Sequence, residues 1–382
     1  MATTDPPTVL IVGGTGFIGT HLVTAFLANP AFGTVYVLSR SKSSKSRIAG
    51  AKYFSRDLTD YTSARAIIED IRPTLIIHCA SPSPVTGTPK EYRKFNLHGT
   101  QNLLKCAKQS EHVRGFIFTS SSTLALGQQH NNVDETCELS TYDWEASPYA
   151  RSKAGAELMV LHSNYPKNSD EKTWADNIST ACIRLPIVYG AGDTHTIPGC
   201  LNALAKGYTT TTIGDGENYW SYCSVENAVS AHVLLANALL KPVEENIEPS
   251  HRIAGQAFNI NDGTPFPFWE FPRLCWKYAG HDAAPRSEMR HLSVYYALLI
   301  AKVLEWVYWI FTLGFMRPYN LGKQQVEYMC FDHTYSIEKA KTVLKFEPKG
   351  HFEEGVEKAV QWCLDEGGWR KKLRGVKGVK QD

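Results

Sequence analysis

The strongest constraint on this chain lies near its start. An apolar run, Thr8 to Val12, leads into Gly13-Gly14-Thr15-Gly16-Phe17-Ile18-Gly19, and Leu22, Val23, Phe26 and Leu27 follow at helical spacing. The pattern predicts a strand, a glycine turn and a helix. Glycine lets a backbone approach a pyrophosphate with no Cβ in the way, and the helix N-terminus offers unpaired N–H groups at the positive end of its dipole. Gly13, Gly16, Phe17, Ile18 and Gly19 are therefore candidate phosphate-binding residues. Further apolar runs at Val35–Ser39, Lys52–Ser55, Leu75–Cys79, Gly115–Thr119 and Thr180–Leu185 alternate with helical spacing at Ala64–Ile71 and Tyr92–Ala107. That alternation predicts an α/β chain with a doubly wound parallel sheet.

Parallel strands deliver their carboxyl ends to one edge, and ligands lie in the crevice beyond it. At the end of the second strand an acid would accept ribose hydroxyls, but the chain offers Ser39, Arg40, Ser41 and Lys42. A guanidinium grips phosphate oxygens with two hydrogen bonds, so NADP(H) is favoured over NAD(H). An ordinary surface arginine is the competing reading of Arg40. Asp57, with Leu58 beside it, is a candidate adenine contact, while Ala80 and Ser81 follow the fourth strand where the cofactor would come close. Asn96 is on the helix after them, where a capping or surface role competes. Ser120-Ser121-Ser122 end the next strand and face the same crevice, and spacing does not decide which serine holds a substrate oxygen.

Ser147-Pro148-Tyr149-Ala150-Arg151-Ser152-Lys153 is the expected centre of the chemistry. Tyr149 and Lys153 stand four apart on one helix face. A cation beside a phenol favours the phenolate, which lets tyrosine act as acid or base near neutrality.

The balance of charges, net +2, gives no reason to expect a nucleic-acid partner. Nine scattered cysteines form no Cys-x-x-Cys or zinc-spaced cluster, and read as reduced thiols. Met1 to Pro7 carry no secretory pattern, so the sequon at Asn177 is expected to be unused. Turn residues after Leu185 place a boundary near residue 190. The expected division is a nucleotide-binding domain at 1–190, rejoined by 225–262, and a substrate-binding region at 191–224 and 263–382. Within the latter, Val294–Phe315 is the most apolar stretch. Lys302 and Glu305 interrupt it, so an interfacial membrane helix is expected, with the two charges able to pair three residues apart; a core or dimer helix is the alternative.

Together the glycine turn, Asp57-Leu58, Thr119–Ser122, Tyr149 with Lys153, and Arg184-Leu185-Pro186-Ile187-Val188-Tyr189-Gly190 resemble the extended short-chain dehydrogenase/reductases. Gly214–Asn218, Val225–Ala228, Arg317-Pro318-Tyr319-Asn320 and Phe331–Lys349 are similar to the 3β-hydroxysteroid dehydrogenase and sterol-4-carboxylate 3-dehydrogenase branch. The resemblance implies a Rossmann fold and an alcohol–ketone oxidoreductase for a bulky apolar substrate such as a sterol or triterpenoid, working without a metal. It implies Tyr149 as proton donor or acceptor, Lys153 on the nicotinamide ribose, Pro186 and Val188 beside the nicotinamide, and an orienting serine at Ser121 or Ser122. It also implies a location on the cytoplasmic side of the endoplasmic reticulum membrane, with a homodimer left open. The competing readings are a dihydroflavonol-reductase-like ketone or aldehyde reductase and a nucleotide sensor without turnover. Ser39-Arg40 depart from the branch, many of whose members have an acid there and use NAD.

Overall fold

The computed structural model describes residues 5–40, 47–164, 178–241, 248, 252–313, 322–376 and 378–379. Ser41, Lys42, Asn177, Phe315 and Arg317 to Asn320 lie outside the described residues. Seven strands form one sheet: β1 (Val9–Val12), β2 (Val35–Ser39), β3 (Lys52–Ser55), β4 (Leu75–His78), β5 (Gly115–Ser121), β6 (Ser179–Leu185) and β7 (Gln256–Asn259). Their order is β7-β6-β5-β4-β1-β2-β3, and every neighbouring pair is parallel. The chain winds outward from β1 through β2 to β3 and then returns to β4 on the other side of β1. The switch point of this Rossmann sheet thus lies between β1 and β4.

The period of two in β1 sorts its side chains between two cores. Val9 and Ile11 face Leu22, Val23 and Phe26 of α1 (Phe17–Ala28). Leu10 and Val12 face the opposite layer, with Ile67 and Ile68 of α2 (Tyr61–Ile71), Leu103 and Leu104 of α3 (Thr100–Gln109) and Val160 of α4 (Pro148–Leu161). Both faces are covered at the centre of the sheet, which is why β1 is apolar and buried along its whole length.

Two local differences from the sequence expectations shape the site. β5 runs two residues beyond Thr119, and Ser120 and Ser121 pair with Arg184 and Leu185 of β6. These serines are strand residues because the long partner β6 keeps supplying backbone hydrogen bonds. The helix expected from Tyr92 begins instead as a wide π-type turn at Tyr92–Gly99 before α3. Such turns insert a residue into the helical ladder and re-aim the side chains they carry.

After β6 come α5 (Thr196–Ala205), α6 (Val225–Leu239), α7 (Glu270–Tyr278), α8 (Val294–Thr312), α9 (Lys323–Cys330) and α10 (Phe352–Asp365). α6 returns to the sheet, placing Ala228, Ala231 and Leu235 in the same core as α1. Ile197, Leu201, Tyr222, Phe271, Trp276 and Val360 build a separate aromatic-rich core from α5, α7 and α10. α8 buries only Ala297 and Ala301, which pack with Ile213 and Val326. Glu305 does not pair with Lys302; its Oε1 accepts the Lys323 backbone N–H at 2.9 Å. The reason is local: no side chain caps the first turn of α9, and its unpaired N–H groups attract a carboxylate.

Candidate active site

The carboxyl end of β5 packs against α4. Ser147 caps that helix, its Oγ accepting the Ala150 N–H at 3.0 Å, and Pro148 fits the first turn, where an N–H is not needed. Tyr149 therefore stands at the mouth of α4 and Lys153 one turn inside. The wide turn braces this arrangement: Asn96 Nδ2 donates to Ser152 Oγ at 2.9 Å, and Ser152 Oγ donates to the Tyr149 carbonyl at 2.7 Å. The Tyr92 ring packs edge-on against the Tyr149 ring at 5.5 Å.

Burial pushes the Tyr149 phenol well above its ordinary value, and hydrogen bonding with the Ser121 side chain and then with that of Ser81 acts in the opposite direction. Ser121 is the serine that reaches the phenol. Its Oγ also contacts Thr123 Oγ1 at 2.9 Å, whereas Ser122 Oγ is buried with no hydrogen-bond partner among the described residues. Lys153 is 3% exposed, and its Nζ donates to the Thr119 carbonyl at 2.8 Å and lies 4.6 Å over the Phe118 ring. Burial lowers its pKa to about 8. The ammonium is thus taken by a carbonyl of β5, and the phenol is not pulled down as helix spacing alone suggests; a buried cation takes the nearest strong acceptor. One turn further along α4, Glu157 is held by Arg184 of β6, with Nη2 at 2.7 Å from Oε1 and both side chains almost fully buried.

The glycine turn is built for close approach. Gly13 has φ of +95°, and a Cβ there would lie 2.6 Å from the Ala80 nitrogen, so β1 and the end of β4 meet only because the residue is glycine. A Cβ on Gly19 would run into the Gly13 carbonyl oxygen. Gly16 caps α1 without a side chain, and the first turn, with Phe17 and Ile18, holds no acid. This bare positive helix end, beside strands brought into contact, fits a nucleotide pyrophosphate.

At the end of β2, the Arg40 guanidinium is exposed and stacks 4.0 Å over the Phe95 ring. Ser39 precedes it, and its carbonyl accepts the Arg56 N–H at 3.2 Å. Asp57 Oδ1 accepts from Thr59 N and Oγ1 at 2.9 and 2.7 Å, and Oδ2 lies 3.4 Å from Lys94. Burial raises the pKa of this carboxyl, but the Thr59 and Lys94 contacts outweigh it and hold the group below its usual range. Leu58 is buried, and its carbonyl accepts Asn102 Nδ2 at 3.2 Å. Pro186 follows β6, and Val188 lies in a short strand, Ile187–Tyr189, beside Tyr222–Ser224. Sequence reading missed Tyr92 as a site residue, whose ring packs edge-on against that of Tyr149. It approaches from distant sequence, and no motif marks it.

The model of the 3-beta hydroxysteroid dehydrogenase/isomerase family matches residues 10–290. A sterol-4-alpha-carboxylate 3-dehydrogenase, decarboxylating, of Saccharomyces cerevisiae is 30% identical over 370 residues, covering 94% of this chain and 98% of the relative. A sterol-4-alpha-carboxylate 3-dehydrogenase, decarboxylating, of Mus musculus is 26% identical, with 92% and 89% covered. Among solved structures, a UDP-glucose 4-epimerase of Thermotoga maritima superposes with a TM-score of 0.66 at 20% identity, covering 96% of this chain and 99% of the other. A Thermus thermophilus UDP-glucose 4-epimerase in complex with NAD gives 0.64 at 23% identity, covering 94% and 99%. These structures share the fold. With the family model spanning most of the sheet, and with the glycine turn and Tyr149 in place, the chain belongs to the 3-beta hydroxysteroid dehydrogenase/isomerase family and is an oxidoreductase of the extended short-chain dehydrogenase/reductase type.

Proposed function

We propose that this enzyme oxidises the C3 hydroxyl of a sterol bearing a C4 carboxylate, with loss of the carboxylate as carbon dioxide. The observation that carries the reading is Tyr149 at the mouth of α4, its phenol acted on by the Ser121 side chain at the end of β5, one helical turn from the buried Lys153. Curated relatives named for this reaction, which the chain matches along nearly their whole length, give the substrate class.

A bound nicotinamide nucleotide supplies the hydride acceptor. Gly13, Gly16 and Gly19 make room for its pyrophosphate, with the N-terminus of α1 facing the charge. Ser121 orients the substrate hydroxyl, and Tyr149 takes its proton as the carbinol C–H bond gives up a hydride. The Lys153 ammonium, fixed by the Thr119 carbonyl, would hold the nicotinamide ribose. The product is a β-keto acid, and its carbon–carboxylate bond breaks as the electrons move into the new ketone to give an enolate, which is then protonated.

Arg40, stacked on Phe95 with its face toward solvent, favours NADP(H), and NAD(H) is the alternative. The exposed apolar α8 supports peripheral attachment to a membrane, on the cytoplasmic side of the endoplasmic reticulum, where a sterol is held. Incubation with a 3β-hydroxysterol 4-carboxylate and each oxidised nucleotide tests the reading. Reduced nucleotide and carbon dioxide are expected to appear together, and nucleotide reduction with only a small aromatic alcohol would overturn it.

A further inference from the structure

α8 shows solvent an unusually broad apolar arc. Tyr295, Leu299, Val303, Trp306, Trp309 and Phe311 are each between 47% and 83% exposed, and only the alanine stripe is covered. A second group of open aromatics lies outside α8, on the loop that leads into α4. Tyr142 is 95% exposed and Trp144 79% exposed. The residue between α8 and this loop is Lys323. Its Nζ lies 3.8 Å from Glu145 Oε2, and its backbone N–H donates to Glu305 Oε1 of α8 at 2.9 Å. The two aromatic groups are therefore neighbours on one surface. That surface also borders the site: Tyr149 is four residues beyond Glu145, the partner of Lys323 at the start of α9.

We propose that the Tyr142–Trp144 loop is a second bilayer contact beside α8, and that the two together seat the Tyr149 side of the enzyme on the lipid surface. This rests on the reading of α8 as a membrane contact and deepens it. Charge and shape select the occupant. The charged groups around Lys323 are mostly acidic, with Asp143, Glu145, Glu305 and Glu327 against Lys302 and Lys323, so the patch does not suit a polyanion or an acidic peptide. The apolar arc on α8 is far wider than the narrow seam another helix would cover. Tyr and Trp, each an apolar ring with a polar handle, suit the headgroup level of a zwitterionic bilayer. A sterol held there reaches Tyr149 without crossing water.

Flotation of the full chain with phosphatidylcholine vesicles tests the proposal. Wild type, Tyr142→Ser with Trp144→Ser, and Trp306→Glu with Ile310→Glu are compared at low and high salt. The loop variant is expected to bind vesicles about tenfold or more weakly, with little effect of salt. Its KM for sterol carried in vesicles should rise, while kcat on detergent-dispersed sterol and nucleotide affinity stay at wild-type values. Should the loop variant float like wild type while the α8 variant is released, this inference fails and the α8 reading stands. Should wild type stay unbound, or both variants float unchanged, the α8 reading fails and takes this inference with it. A loop variant with lowered melting temperature is replaced by Trp144→Phe: brominated phosphatidylcholine should quench less total emission than in wild type, and equal quenching overturns the contact.

Discussion

The Lys153 ammonium donates to the Thr119 carbonyl at 2.8 Å, so the lysine of α4 is anchored to the end of the strand that carries Ser121. Strand and helix are thereby locked in register at the point where Tyr149 and Ser121 meet. Burial of that ammonium lowers its pKa from the ordinary 10.5 to about 8.

This shift has a thermodynamic signature. Between those two values the unfolded chain binds a proton on Lys153 that the native protein does not, so this residue's contribution to stability rises with pH across the window. Comparison with Lys153→Met isolates it. The wild-type minus variant unfolding free energy, from urea titrations of the nucleotide-free protein, is expected to grow by on the order of 3 kcal/mol from pH about 7 to about 10.5. A flat difference would mean that the lysine is not desolvated.

The parallel α/β sheet was readable because its central strands are apolar runs separated by helical periods, and the four-residue spacing placed Tyr149 and Lys153 on one helix. What spacing could not supply was the third dimension. The run Ser120 to Ser122 was placed at the end of a strand drawn only to Thr119, because the apolar residues stop there, yet the long partner β6 carries β5 through Ser121. Asn96 stayed open between a cofactor contact and a capping or surface role because nothing in one sequence announces a π-type turn. Lys302 and Glu305 looked like a pair because helix spacing shows one element at a time, and the first turn of α9 competes for the carboxylate.

The extended β5 separates the two serines. Ser121→Ala is expected to lower kcat/KM about a hundredfold, as loss of one hydrogen bond to the reacting oxygen commonly does. Ser122→Ala should leave it within about threefold, a change of well under 1 kcal/mol. Steady-state kinetics of both variants decides, and the reverse ranking would reassign the orienting serine.

Arg40→Ala should weaken NADP(H) by about tenfold or more while leaving NAD(H) nearly unchanged, because a charge-assisted phosphate contact is worth about 1.5–3 kcal/mol. Calorimetric titration of both nucleotides reads this directly. Equal losses for the two would assign Arg40 to the adenine or the fold rather than to the 2′-phosphate.

Glu157 and Arg184 form a buried pair below Lys153. Glu157→Gln leaves a guanidinium without its counter-charge and is expected to cost about 3–5 kcal/mol in urea unfolding. Adding Arg184→Met should recover much of the loss, since the uncompensated charge is then gone. Additive losses would show that packing, not charge, is what the pair contributes.

The most direct test of the whole account follows one atom. A 3β-hydroxysterol 4-carboxylate deuterated at C3 is turned over with oxidised nucleotide, and mass spectrometry measures deuterium in the nucleotide alongside released carbon dioxide. The account predicts one deuterium transferred per carbon dioxide, with Tyr149→Phe slowing both about a hundred- to ten-thousand-fold while nucleotide binding persists. Carbon dioxide released without label in the nucleotide, or label transfer undiminished in Tyr149→Phe, would contradict it.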